Sequence, residues 1–222
     1  MNNAACLNTL ILDCTRAPGW IALEAGVSSE ERMLEGSNSE ALAPSVYSLL
    51  EAVDISATDL DRIIVAVGPG SFTGIRSALA FASGISLVSG TPLVGINLFQ
   101  AAGALLRRSP GLYLLHLTAN RNEDFVLHLT VGPSGEVVSD WCARTIESSG
   151  LSAELGSWGA GEQTRTLCLI DSERGILANK RREAFLGAAV TPNLCGSAEP
   201  WYGKPVQAKT LKERGILPIN AS

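Results

Sequence analysis

Histidine is nearly absent from this chain. Its 222 residues include only His116 and His128, twelve apart in strand-like runs and so not a pair at helical spacing. A metal centre built on a helix needs ligands about one turn apart, so both histidines are expected to be structural or surface groups. Charge is also scarce: Asp, Glu, Lys and Arg make up 18% of the chain, and 17 basic residues face 22 acidic ones for a net charge of −5. A stand-alone nucleic-acid binder carries a basic excess or stripe. Here only Arg107-Arg108 and Lys180-Arg181-Arg182 cluster, and they read as solvated surface. The five cysteines (Cys6, Cys14, Cys142, Cys168 and Cys195) include no C-x-x-C. An odd count without a framework excludes a disulfide scaffold and points to a reducing compartment, with the thiols as small buried hydrophobes. No run approaches the ~18–20 apolar residues of a membrane span. The opening MNNAACLNTLILDC lacks a basic region and a cleavage site, so no leader is expected and a cytoplasmic location is. What the chain has in surplus is apolar residues, at 46%. That is high for a soluble monomer and predicts some apolar surface that meets a partner.

The most informative stretch is residues 60–95, LDRIIVAVGPGSFTGIRSALAFASGISLVSGTPLVG. The continuous apolar run Ile63 to Val67 predicts a strand covered on both faces. Gly68-Pro69-Gly70 stops it, and Ser71 or Thr73 is placed to cap a helix of about Thr73 to Ser89 that ends at Gly90. Pro92 opens the next strand, to Ile96. A glycine turn before a helix suits an anion, because backbone N–H groups point at it. The spacing departs from the familiar versions: a G-x-G-x-x-G begun at Gly68 finds Thr73 where glycine is needed, and a P-loop needs a lysine that is missing. A tight strand-to-helix turn and a phosphate site both remain open on the residues alone.

Around this stretch, Leu7–Asp13, Trp20–Glu24 and about Glu31–Glu35 read as three meandering strands. A helix of about Glu40–Val53, capped by Asn38 or Ser39, carries Leu42, Val46, Leu49, Leu50 and Val53 on one face. Asn97 is placed to cap a helix to about Arg108. Ser109-Pro110-Gly111 is the clearest break and predicts halves at 1–108 and 109–222, with the C-terminal tail packing back on the first. The second half offers strands at Leu112–Thr118, Asp124–Val131, Glu136–Cys142 and Thr166–Ile170, a helix at Lys180–Val190, an extended stretch at 199–205 and a last helical turn at Lys209–Arg214. Residues 146–200 are otherwise unpatterned. Three strands followed by helix and strand predict an α/β protein of the ribonuclease-H-like, actin-like ATPase plan, two α/β halves with mixed sheets.

The string Gly68-Pro69-Gly70-Ser71-Phe72-Thr73-Gly74-Ile75-Arg76 closely resembles the signature of the bacterial TsaB (YeaZ) family. Leu10-Ile11-Leu12-Asp13 resembles that family's first strand and Thr91-Pro92-Leu93-Val94-Gly95 the strand after its signature helix. Ala119 to Phe125 resembles its Asp-Ala-Arg-Arg-x-Glu-Val-Tyr stretch more loosely. Two departures stand out: Asp13-Cys14-Thr15 replaces Asp-Thr-Ser, and Asn38-Ser39-Glu40 replaces His-Ser-Glu. The resemblance implies a non-catalytic scaffold that activates TsaD in making threonylcarbamoyladenosine beside the tRNA anticodon. TsaE would join the complex, tRNA would be met only through it, and a homodimer would form when the chain is alone. It implies no cofactor in the chain itself, with ATP or ADP entering, if at all, at the level of the complex.

The rival class is a stand-alone peptidase or nucleotide hydrolase of the same superfamily. Asp13, at a strand end, is the carboxylate that would hold a magnesium–nucleotide, but Cys14-Thr15-Arg16-Ala17 follows where such enzymes have glycines. Ser71 lacks the nucleophile elbow, since position 69 is proline. No catalytic, cofactor-binding or metal-binding residue is therefore assigned. The interaction surface is drawn from the 73–89 helix. Ile75, Ala78, Leu79, Ala82 and Ile85 form a core stripe, while Ser77, Ala80, Phe81, Gly84 and Val88 form a second, uncharged stripe expected to meet a partner, with Val46 and Leu50 alongside.

Overall fold

A computed structural model describes residues 7–139, 143–151, 153–154, 164–169, 175–191, 194, 196 and 198–200. Five strands form the first sheet: β1 (Thr9–Asp13), β2 (Trp20–Ala25), β3 (Ser28–Met33), β4 (Arg62–Ala66) and β5 (Leu93–Ile96), in the order β3-β2-β1-β4-β5. The β1–β2 and β2–β3 pairs are antiparallel and the β1–β4 and β4–β5 pairs parallel. This is the ribonuclease-H-like plan. The second sheet holds β6 (Gly111–Asn120), β7 (Glu123–Val131), β8 (Val137–Val138), β9 (Arg144–Glu147) and β10 (Thr164–Cys168), with β10 parallel to β6 and both β8 and β9 antiparallel to β7. Two α/β arrangements with mixed sheets result.

The continuous apolar runs of β1 and β4 are explained by burial on both faces. Leu10, Leu12, Ile63 and Val65 face α1 (Asn38–Ala52) and α2 (Phe72–Ser89), meeting Leu42, Leu49, Ile75, Ala78 and Ala82. Ile11 and Ile64 face the other way, into a core built around α3 (Leu98–Leu106) and α4 (Arg181–Ala189). That second core also takes in Tyr113, Leu115, Leu127 and Leu129 of the second sheet, so it crosses the 108/109 position and is shared by both sheets. Phe185 of α4 stacks on Trp20 of β2, ring centroids 6.4 Å apart.

Several boundaries differ from expectation for identifiable reasons. Helix α1 starts at Asn38, after Ser37, and no side chain caps it. The Asn38 amide is drawn into the β1–β2 loop instead: its Oδ1 accepts from Gly19 N (2.8 Å) and its Nδ2 donates to Arg16 O (2.8 Å). Strand β3 begins three residues earlier than the pattern suggested, because it is an edge strand exposed along most of its length and shows no apolar alternation. Strand β9 had no sequence signal either. Of the strand expected at 136–142, Val137–Val138 is paired, and residues 140–142 lie outside the described residues, as do the helical turn expected at 209–214 and all but the first two residues of the extended stretch at 199–205. Helix α2 is longer and more apolar than the run-counting implied: its 18 residues suffice by length and hydropathy to cross a membrane, yet its Ile75, Ala78, Leu79 and Ala82 side is buried against the first sheet.

The Phe185 ring is fully buried where both sheets meet α4. Phe185→Ala should cost about 3–5 kcal/mol, read as a lowered midpoint in a denaturant titration.

Candidate functional site

The C-terminal ends of the parallel strands β1 and β4 lie side by side, where open α/β sheets place their ligand crevices. Asp13, Cys14 and Thr15 leave β1 there. Gly68-Pro69-Gly70 leaves β4 through a cis Gly68–Pro69 bond and enters α2. Ser71 caps the helix by accepting from Gly74 N through its Oγ (3.1 Å), and Gly90 closes it in the left-handed conformation at φ 75°.

The glycines of the signature serve a close approach of two backbones. Gly68 has φ 127°, which favours glycine. Gly70, at φ 159°, is nearly extended, so its requirement is spatial: a Cβ there would collide with the carbonyl oxygen of Thr15. A Cβ on Gly74 would collide with that of Cys14. The contact is completed by Ser71 N donating to Thr15 O at 2.6 Å. The turn's N–H groups at Ser71 and Gly74 are thus spent inside the protein, which favours the tight-turn reading over a phosphate cradle. Arg76, the one charged residue of α2, lies over the Phe72 ring with its guanidinium carbon 4.6 Å from the centroid.

Asp13 is 2% exposed. Its Oδ1 accepts from Thr15 N (3.0 Å) and Thr15 Oγ1 (2.5 Å), and its Oδ2 faces Arg181 Nη1 at 3.9 Å. A guanidinium therefore faces the Asp13 oxygen that Thr15 leaves free. Next door, Arg182 Nε lies 3.0 Å from Glu24 Oε1 and its Nη1 donates to Ser29 Oγ at 2.5 Å. A small cavity of about 310 Å³ lies between, lined by Trp20, Glu31, Asn179 and Lys180 among others. Of the Lys180-Arg181-Arg182 cluster, read as solvated surface, Arg181 is thus turned inward, 14% exposed, while Arg182 forms its contacts at the surface. No local pattern could have found this, since Asp13 and Arg181 are 168 positions apart.

Both histidines have carboxylate neighbours: His116 Nδ1 is 3.8 Å from Asp124 Oδ1 on the paired strand and His128 Nε2 is 3.2 Å from Glu154 Oε1, with Arg144 also on Glu154. They remain separate pairs, and among the described residues no group of three or more His, Cys, Asp or Glu could hold a metal. Cys14 is fully buried; burial, then the neighbouring Asp13 charge, pushes its thiol pKa up to about 12.

The expected interaction surface is only partly assembled. On α2, Ala80, Gly84 and Val88 are exposed and Ser77 and Phe81 half-buried. Val46 and Leu50 of α1 are not at this surface: they are 1% and 4% exposed, because their face of α1 packs onto the first sheet. Tyr47 takes their place, with 63% of its surface exposed. Ser39 of α1 and Ser77 of α2 meet at 3.0 Å between hydroxyls and pin the two helices at this face. The pattern also holds Leu87, 88% exposed and three and seven residues beyond Gly84 and Ala80. Its helical spacing was legible but unused.

Comparison with known proteins agrees with the resemblance carried by the signature. Residues 33–122 match the family model of TsaD, tRNA N6-adenosine threonylcarbamoyltransferase. An uncharacterized protein of Mycobacterium tuberculosis is 31% identical over 108 residues, 46% of this chain and 50% of its own length. The tRNA threonylcarbamoyladenosine biosynthesis protein TsaB of Bacillus subtilis is 27% identical over 117 residues, 49% of this chain and 51% of its own length. The chain thus spans about half the length of the curated relatives it matches. Among solved structures, YeaZ from Pseudomonas aeruginosa covers 88% of this chain and 99% of its own at a TM-score of 0.60 and 17% identity, a likeness of fold.

Two outcomes follow from this geometry. Gly74→Ala and Gly70→Val should each lower the melting temperature by several degrees, because the β1 loop must move to admit a Cβ. Cys14 should resist alkylation in the native protein. Since its folded pKa lies above the unfolded value of 9.0, its contribution to stability is complete below pH 9 and falls as pH rises toward about 12, which denaturation curves at stepped pH would read.

Proposed function

We propose that this protein is a non-catalytic subunit that scaffolds and activates TsaD in the formation of threonylcarbamoyladenosine in tRNA. The observation that carries the proposal is the outward stripe of α2, which is uncharged after Arg76 and ends in Leu87 and Val88, 88% and 85% exposed. It sits on a helix that begins with a TsaB-like signature and falls inside the segment matched by the TsaD model. A helix with one buried side normally shows charge on the other. Small residues at Ser77, Ala80 and Gly84 admit a partner helix at close range, and Tyr47 and Phe81 supply aromatic anchors.

The occupant is the equivalent helix of TsaD, or of a second copy when TsaD is missing. TsaE and tRNA join through TsaD, the acidic net charge leaving most phosphate contacts to the partner. The chain itself holds no cofactor, and any nucleotide enters at the level of the complex. The Arg181 guanidinium beside Asp13 supports this over the nucleotide hydrolase, because a bound magnesium would have to displace it. The assembly works in the cytoplasm.

Co-purification with TsaD from the native host tests the reading. Ala80→Arg should give a folded monomer whose affinity for TsaD falls at least tenfold (about 1.4 kcal/mol), read by thermal melt and size exclusion. A variant that stays folded and still forms the complex sinks the assignment of this face. Highly purified protein should show no ATP turnover or peptidase activity that a single substitution in this chain abolishes.

A further inference from the structure

The exposed end of α2 has a candidate occupant within the chain itself. Gly196 pairs with Gly95 on the open edge of β5, Gly95 N donating to Gly196 O at 3.2 Å and Gly196 N to Gly95 O at 3.0 Å. The bridge is antiparallel, so the chain beyond Gly196 runs back toward the start of β5. Ala198 packs against the core on the α1–α2 side of the sheet, as does Leu93. The start of β5 is joined to the end of α2 through Gly90-Thr91-Pro92. Residue 200 is thereby delivered toward the end of α2 that exposes Leu87 and Val88.

Residues 201–222 follow. Twenty-two residues reach up to roughly 70 Å when extended, against roughly 27 Å for the length of α2. They carry apolar groups at both ends, Trp201-Tyr202 and Ile216-Leu217-Pro218-Ile219. Their charge also fits. Lys204, Lys209, Lys212 and Arg214 stand against the single acid Glu213, whereas α1, packed beside α2, holds Glu40 and Glu51 and no basic residue. We propose that residues 201–222 dock in cis over the exposed stripe of α2, so that the chain shields its own apolar face. A second copy or TsaD must then displace the tail; that competition, though not the docking, rests on the partner reading above.

The test uses the full chain with a photoreactive side chain at the exposed end of the stripe, Val88→p-benzoylphenylalanine. Irradiation at low concentration should give adducts to peptides within residues 201–222, at monomer mass and in a yield independent of protein concentration. Adducts only between chains, rising with concentration, or none to 201–222, overturn the proposal. As a second measurement, Trp201→Ser combined with Ile216→Asp should raise apolar-dye binding and speed amide exchange at residues 84–89 at least threefold. No change in either refutes the docking. The two readings fail separately: adducts from position 88 report the tail whether or not TsaD binds, and Ala80→Arg reports the TsaD face whether or not the tail covers it.

Discussion

The approach of the β1–β2 loop to the start of α2 is the constraint on which the first half depends. The carbonyl oxygens of Cys14 and Thr15 sit where the Cβ atoms of residues 74 and 70 would be. Glycine at both positions lets Ser71 N reach Thr15 O and its hydroxyl cap the helix, fixing the direction in which α2 leaves the sheet. That direction decides which side of α2 meets Leu10, Leu12, Ile63 and Val65, and therefore which side is left outward. The signature reads as a phosphate loop by composition and acts as a packing joint. Its glycines make room for the carbonyl oxygens of Cys14 and Thr15.

Asp13 stands buried at the end of β1, its two oxygens facing Thr15 and Arg181. A buried carboxylate needs compensation of its charge, and an arginine on α4 provides it without a metal. The pairing couples the first strand of the chain to a helix near its end. Arg182, reaching Glu24 and Ser29, does the same for β2 and β3.

Much of the fold was legible because its signals are local. The two-faced burial of β4, the Ser71 and Asn97 caps and the Gly90 stop each lie within a few residues of the element they define. What escaped the sequence was non-local. Strand β10 pairs in parallel with β6 across more than forty intervening residues, and β9 has no alternating pattern because its residues are half-buried or exposed. The site was legible in part. Ala80, Gly84 and Val88 face outward as their spacing predicted. Val46 and Leu50 share one apolar face with Leu42 and Leu49, and a sequence does not say that the whole of that face is consumed by the sheet.

The shared core around α3 and α4 bears on how the protein is made. Ile11, Ile64 and Ala66 of the first sheet are covered in concert with Ala184, Phe185 and Ala188. While the chain is emerging from a ribosome, the cover that α3 and the second sheet give this side stays incomplete until residues near 189 have cleared the exit tunnel. The stretch matched by the TsaD model, 33–122, lacks β1, β2 and α4. It is not a unit of folding: expressed by itself, it would carry the signature helix on a sheet missing its central strand.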